Sequence, residues 1–118
     1  MTNYRRGDVV LVIFPNADLK SFRKRPALVL GGDDLDTGLP QTIVAMITSN
    51  LDRKGPTRVK IKKNSPAGQQ MSLHSDSIVV ADNLATVLER EIDRAIGRCP
   101  IMDRVDTALR LALGLKSG

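Results

Sequence analysis

Apolar and β-branched residues occur along this chain in short runs, which are separated by polar stretches rich in glycine and proline. Each run is five to seven residues long, a length typical of buried strands and too short for helices. The predicted strands are residues 9–14, 26–30, 42–48, 58–62 and 77–81. The stretches between them are predicted as loops, turns or irregular connections: residues 16–24, 33–40, 51–56 and 64–74.

The strand predicted at 58–62 alternates strictly. Its three cationic residues share one face and Val59 and Ile61 share the other, which indicates a half-buried strand with a positively charged outer surface.

The C-terminal segment is the one clear helix. Apolar residues recur at intervals of three and four over residues 102–115, and Asp103 lies in the first turn, where the helix dipole favours a negative charge. Residues 89–97 are ambiguous, since Ile92 and Ile96 fit one helical turn but the stretch is short. The sequence therefore predicts a mainly β (β+α) fold, a small antiparallel barrel of the SH3-like type with a C-terminal α-helix, as a single domain over residues 1–118.

Composition narrows the class of protein. Only three aromatic residues are present, so the core must consist of aliphatic side chains. One cysteine excludes an intrachain disulfide, and the polar N-terminus lacks the apolar segment of a signal peptide. No apolar run has the length of a membrane span, and a cytoplasmic location is expected. The net charge of +5 suggests a polyanionic partner such as nucleic acid, although it is equally compatible with solubility alone.

Several kinds of catalytic site are absent from the sequence. His74 is the only histidine, which excludes a nuclease built on a pair of histidines, and no His/Cys cluster is available for zinc. Asp33, Asp34 and Asp36 lie in a predicted turn, where aspartates more often bond their own backbone than hold a divalent metal. We therefore expect neither a metal ion nor a cofactor.

Two cationic segments could follow a phosphate backbone. The first contains Lys20, Arg23, Lys24 and Arg25. The second contains Arg53, Lys54, Arg58, Lys60, Lys62 and Lys63 and has no acidic residue between 53 and 63. The alternative is an ordinary solvated sheet edge, because lysines on edge strands prevent aggregation. Few aromatic residues are available for base stacking, which argues against an RRM-like platform.

The second and third predicted strands would form a hairpin with a turn centred near Asp36 and Thr37. In that register Arg25 lies opposite Thr48, with Cβ atoms roughly 5 Å apart. A guanidinium and a hydroxyl so placed could hold a phosphodiester. The alternative is that Arg25 is a surface residue and Thr48 caps the loop after its strand, because the register of a long hairpin is weakly specified.

Five segments, in order and spacing, resemble the MazF/PemK family of toxin endoribonucleases. They are residues 6–10 (RGDVV), 24–30 (KRPALVL), 45–49 (AMITS), 76–84 (DSIVVADNL) and 102–106 (MDRVD). The resemblance implies an SH3-like barrel that forms a homodimer, cuts single-stranded RNA at short motifs without a metal, and binds an antitoxin protein that covers the RNA groove.

The resemblance also assigns roles to residues. It implies that Arg25 is catalytic, that Thr48 is its partner, and that the 2′-hydroxyl attacks the adjacent phosphate to leave a cyclic phosphate and a 5′-hydroxyl. Because a guanidinium stays protonated at neutral pH, Arg25 suits charge stabilisation, and the general base is not assigned. Ser49 is expected to assist or to be a loop residue. Asp82 and Asn83 are expected either to contact RNA or to form a turn.

The chain departs from this family in its first loop, where residues 19–24 (LKSFRK) replace the Gly and Glu that many members carry before the arginine. Two other functions remain open. One is a catalytically inactive, nucleic-acid-binding SH3-like barrel that acts as a regulator. The other is a protein-interaction barrel, which would need an aromatic groove that three scattered aromatics do not supply.

Overall fold

The computed structural model describes residues 3–16, 18–31, 38–52 and 54–116. Their strands and helices follow one another in this order: β1 (Asp8–Pro15), β2 (Phe22–Val29), β3 (Gln41–Thr48), β4 (Arg58–Ile61), α1 (Pro66–Gln70), β5 (Ser77–Leu88), a 3-10 turn (Glu89–Glu91), β6 (Ile92–Arg98) and α2 (Met102–Leu113). Every neighbouring pair of strands is antiparallel, in the order β4-β5-β3-β2-β1-β6. The predicted mainly β, barrel-like fold with a C-terminal helix is confirmed, with β4 and β6 as open edges.

Apolar side chains cover both faces of the central strands. In β1, Val9 and Val10 are both fully buried although they point to opposite faces. Val9 belongs to a cluster that includes Val105 and Ala108 of α2, while Val10 belongs to a second cluster with Ala27 and neighbouring valines. A strand buried on both faces needs a continuous apolar run, which is the pattern that β1 shows. Neither helix in the described ranges is long and apolar enough to cross a bilayer.

The register of the β2–β3 hairpin agrees with the prediction. Ala27 pairs with Met46, Leu28 with Ala45 and Val29 with Val44. The same offset would set Arg25 opposite Thr48, two pairs beyond the end of this ladder. The turn itself, including Asp36 and Thr37, lies outside the described residues.

The predicted loop at 16–24 is too long, because β2 already begins at Phe22. Residues 22, 23 and 24 pair in that order with Pro15, Phe14 and Ile13 of β1, and they are exposed on both faces. These ends of β1 and β2 form a two-stranded extension, here called the ribbon. Backbone hydrogen bonds hold the ribbon together without an apolar pattern, and this is why the sequence did not reveal it.

The fifth strand is longer than predicted and contains a bulge. It runs to Leu88, but Val80 pairs with Met46 whereas Leu84 pairs with Ala45, which leaves the three residues between Val80 and Leu84 without partners in β3. Asp82 and Asn83 therefore lie in a bulge inside a strand, and the alternative of a turn after the strand is wrong.

Three further boundaries differ from the prediction. The ambiguous stretch 89–97 forms the 3-10 turn and β6, and the stretch 64–74 contains the short helix α1, which Ser65 caps. Helix α2 ends at Leu113 because Gly114 takes a left-handed conformation with φ +69°.

Candidate active site

A cleft of about 490 Å³ opens beside the base of the ribbon, between β2, the end of β3, β6 and the loop that follows α1. Apolar side chains form one part of its lining: Leu11, Pro26, Ile47, Leu73 and Ile96. Polar side chains form the rest: Arg23, Lys24, Arg25, Thr48, Ser49, Ser72, His74, Ser75 and Ser77. Three cations and no carboxylate among these residues make the cleft suitable for an anionic ligand.

Arg25 is exposed in the cleft. It lies in β2 opposite Val12 of β1, two residues before the fully buried Ala27, so its backbone is fixed while its side chain stays in solvent. Its guanidinium forms no ion pair or hydrogen bond with any described residue. No described residue occupies any of its five N–H donors, which suit the binding of a phosphate.

Thr48 ends β3 and lines the same cleft. Its Oγ1 accepts a hydrogen bond from the backbone N–H of Asn50 at 3.1 Å. Thr48 thus caps the loop after its strand, which was one of the two alternatives, and it also shares the cleft with Arg25, which was the other. Because the oxygen accepts from Asn50, the hydroxyl hydrogen can be donated into the cleft.

Three of the other predicted residues also reach this cleft. Arg23, Lys24 and Ser49 line it, although the Nζ of Lys24 also pairs with Asp93 Oδ2 at 3.2 Å. A second cavity, of about 360 Å³, shares Arg23 and Arg25 with the first and adds Asn83 from the β5 bulge. Arginines on alternate residues of β2 thus connect two adjoining cavities.

Arg58 and Asp82 are bound to each other away from both cavities. Arg58 Nη2 lies 3.2 Å from Asp82 Oδ2, and Nη1 donates to the backbone oxygen of Lys54 at 3.2 Å. Arg58 Nε is buried without a partner among the described atoms. These contacts join β4 to the bulge in β5, so the structure does not bring Lys54, Arg58 or Asp82 to the cleft.

Lys20 also remains apart from the cleft. Lys20 is exposed in the tight turn of the ribbon, where its backbone N–H donates to Asp18 Oδ1 at 2.9 Å. This N–H and that of Ser21 stabilise the carboxylate, and they lower the pKa of Asp18 below its usual range. Arg53 lies outside the described residues.

No group of three histidine, cysteine, aspartate or glutamate side chains is arranged as metal ligands in the part of the chain that the structure describes. Asp33, Asp34 and Asp36 lie outside that part.

Sequence reasoning missed His74. The sequence predicts only an irregular connection at this residue, but His74 lines the same cleft as Arg25 and Thr48 in the folded chain. A signal was present, since Ser65 followed by Pro66 is a typical helix start. A helix predicted at this position would have indicated that residues 71–75, which include His74, form an ordered loop at its end.

Known structures share this fold over nearly the whole chain. An endoribonuclease from a mycobacterial species, in complex with its cognate antitoxin, is 24% identical with a TM-score of 0.72, covering 98% of this chain and 99% of that one. The Mycobacterium tuberculosis toxin MazF-mt6 is 22% identical with a TM-score of 0.72, covering 93% and 99%. MazF in a MazE-MazF structure from Deinococcus radiodurans is 20% identical with a TM-score of 0.70, covering 96% and 97%.

The sequence itself matches one protein family. Residues 5–113 fit the family described as PemK-like, MazF-like toxin of type II toxin-antitoxin system. This match includes every described residue of the cleft. The chain belongs to the PemK/MazF toxin family.

Proposed function

We propose that this chain is a toxin endoribonuclease that cuts single-stranded mRNA at short sequence motifs, without a metal ion, by attack of a ribose 2′-hydroxyl on the adjacent phosphate. One observation carries the proposal: an arginine without a partner among the described residues and a threonine hydroxyl with a free hydrogen line one cationic cleft.

Arg25 and Thr48 suit the stabilisation of negative charge. During attack by the 2′-oxygen, charge accumulates on the non-bridging oxygens of the phosphate. The guanidinium can bind both of these oxygens at once, and the threonine hydroxyl can donate a further hydrogen bond to one of them. Both groups are in place before the substrate arrives, so little reorganisation is needed when charge develops.

Substrate binding extends from this pair along the cations of β2. Arg23 and Lys24 supply further positive charge in the cleft, and Asn83 supplies amide donors and an acceptor in the adjoining cavity. Asp82, Arg58, Lys54, Lys20 and Arg53 are proposed as outer contacts for a longer RNA. We further propose that the chain acts as a homodimer in the cytoplasm and that an antitoxin with an acidic or apolar segment covers the cleft. The three cations and five apolar residues of its lining fit such a segment.

The test is cleavage of a long RNA by the purified protein, with the ends mapped. We expect cuts at a short motif, with 2′,3′-cyclic phosphate and 5′-hydroxyl ends, and the same rate in EDTA. Arg25→Ala should reduce the rate at least about 100-fold, the usual effect of removing a group that stabilises the transition state.

Arg104→Ala is the matched control. Arg104 is exposed on α2 outside both cavities, so its removal makes the same change in net charge. Equal rates for wild type and Arg25→Ala would refute the site. Tight RNA binding without any cutting would support the inactive regulator, and loss of cutting in EDTA would refute metal independence.

A further inference from the structure

RNA cleavage by 2′-hydroxyl attack requires a group that removes a proton, and most side chains in the cleft are unsuited to that task. Arg23 and Arg25 carry guanidiniums, which stay protonated in proteins. The ammonium of Lys24 is bound to Asp93 and has no lone pair to accept a proton. Serine and threonine hydroxyls are very weak bases. No carboxylate is present among the described residues of the lining.

His74 is the exception. Imidazole is the side chain that exchanges a proton most readily near neutral pH. His74 lines the cleft together with Arg25 and Thr48, the residue is exposed to solvent, and its side chain forms no hydrogen bond with any described residue. A lone pair on one of its nitrogens is therefore free to accept a proton from a ligand in the cleft.

The backbone on either side of His74 is held in place. Ser72 takes a left-handed conformation with φ 58°, and its Oγ donates to the backbone oxygen of Ile96 in β6 at 2.6 Å. Leu73 is buried, and its N–H donates to Gly68 at 3.1 Å. On the other side, Ser77 Oγ donates to the oxygen of Ser75 at 2.9 Å. A short, anchored loop of this kind fits a preorganised catalytic group.

We propose that His74 is the general base of RNA cleavage in this chain, a role that rests on the proposed function. In this step the 2′-hydroxyl proton passes to the imidazole, the 2′-oxygen bonds to phosphorus, the bond from phosphorus to the 5′-oxygen breaks, and the 5′-oxygen takes a proton from solvent. Arg25 and Thr48 bind the phosphate oxygens during the transfer.

The experiment compares His74→Gln, which keeps a polar side chain that cannot titrate, with the wild type and Arg25→Ala. The charged groups that line the cleft with His74 are Arg23, Lys24 and Arg25 of β2, while β3 and β6 contribute neutral side chains. Asp76, in the same loop as His74, accepts a hydrogen bond from the backbone N–H of Lys63. We expect kcat/KM for His74→Gln to fall about 100-fold or more. The wild-type rate should fall toward acidic pH, and this fall should be absent from the pH profile of His74→Gln.

Two further measurements separate a base from an acid or a structural residue. His74→Ala should regain activity when free imidazole is added, whereas Arg25→Ala should not. The His74→Gln defect should persist on an RNA whose scissile 5′-oxygen is replaced by sulfur, because a thiolate leaves without protonation. A defect that vanishes on this substrate would identify an acid and overturn the proposal.

Failure of this inference and failure of the proposed function give different results. If Arg25→Ala is inactive but His74→Gln cuts with the wild-type rate and pH profile, the base is another group and the endoribonuclease function stands. If the wild type does not cut RNA, or if Arg25→Ala cuts normally, the proposed function itself fails. Affinity for an RNA with a 2′-deoxy cut site should be unchanged in His74→Gln, and a tenfold loss would indicate a binding role only.

Discussion

Gly97 offers a sharp test of how the His74 loop is held against the sheet. This residue lies in β6 opposite Val9, where the end of α1 packs directly on the strand. A Cβ added to Gly97 would lie 2.4 Å from the backbone oxygen of Gln70 and 2.8 Å from the carbonyl carbon of Met71. Both neighbours are backbone atoms, so no side-chain rotation can relieve the overlap. The backbone angle of Gly97 lies outside the left-handed region, and the clash is therefore the whole penalty.

We expect Gly97→Ala to destabilise the protein by about 2–3 kcal/mol, the upper part of the range for overpacking. For a domain of this size the entropy of unfolding is about 0.25 kcal/mol/K, so the melting temperature should fall by about 10 °C. Circular dichroism during heating measures the shift, and calorimetry checks that unfolding is two-state.

Gly114→Ala is the matched control, because φ at Gly114 is +69° and no atom lies within 4 Å of the added Cβ. Its penalty is conformational alone, about 1 kcal/mol, or roughly 4 °C. A Gly97→Ala protein that melts within 2 °C of the wild type would show that α1 does not pack on β6 as described.

Three other predictions concern single polar contacts. Thr48→Val removes the hydroxyl that accepts from Asn50 and donates in the cleft, so it should lower the free energy of unfolding by about 1 kcal/mol and the cleavage rate about 100-fold. Thr48→Ser keeps the hydroxyl and should keep both the stability and the rate, as melting and cleavage assays can show. A double-mutant cycle with Arg58→Met and Asp82→Asn should give a coupling of about 0.5–1 kcal/mol in urea denaturation, and zero coupling would mean that the ion pair does not hold the bulge. The backbone N–H groups of Lys20 and Ser21 lower the pKa of Asp18 in the folded protein, so the carboxylate stabilises the fold above its unfolded-state pKa, and this effect is lost as pH falls through the folded-state pKa. NMR titration should show a midpoint below 3.8, and a midpoint at or above 3.8 would contradict the hydrogen bonds of the turn.

The sequence was most informative where burial dictated residue type. The valines of β1 and the alternating Val59 and Ile61 of β4 could be assigned because their positions must be apolar. The β2–β3 register followed from the length of the connecting segment. That register correctly brought Arg25 and Thr48 to one cleft.

The missed features depend on contacts between distant segments. The exposed half of β2 is a strand only because β1 pairs with it, whatever its side chains are. The bulge around Asp82 and Asn83 arises where β5 changes its offset against β3. His74 reaches the cleft because α1 packs on β6 at Gly97, a contact between residues far apart in the sequence.

The ribbon has an evolutionary consequence. Its side chains at residues 18–24 are exposed and belong to neither apolar cluster, whereas Arg25 lies at its base, two residues before the fully buried Ala27. Substitutions at exposed positions such as Lys20, Phe22 and Arg23 would thus change the free energy of unfolding little. Under the proposed function, such a layout would let natural selection alter which ribonucleotide sequences are admitted while Arg25 and Thr48 stay unchanged.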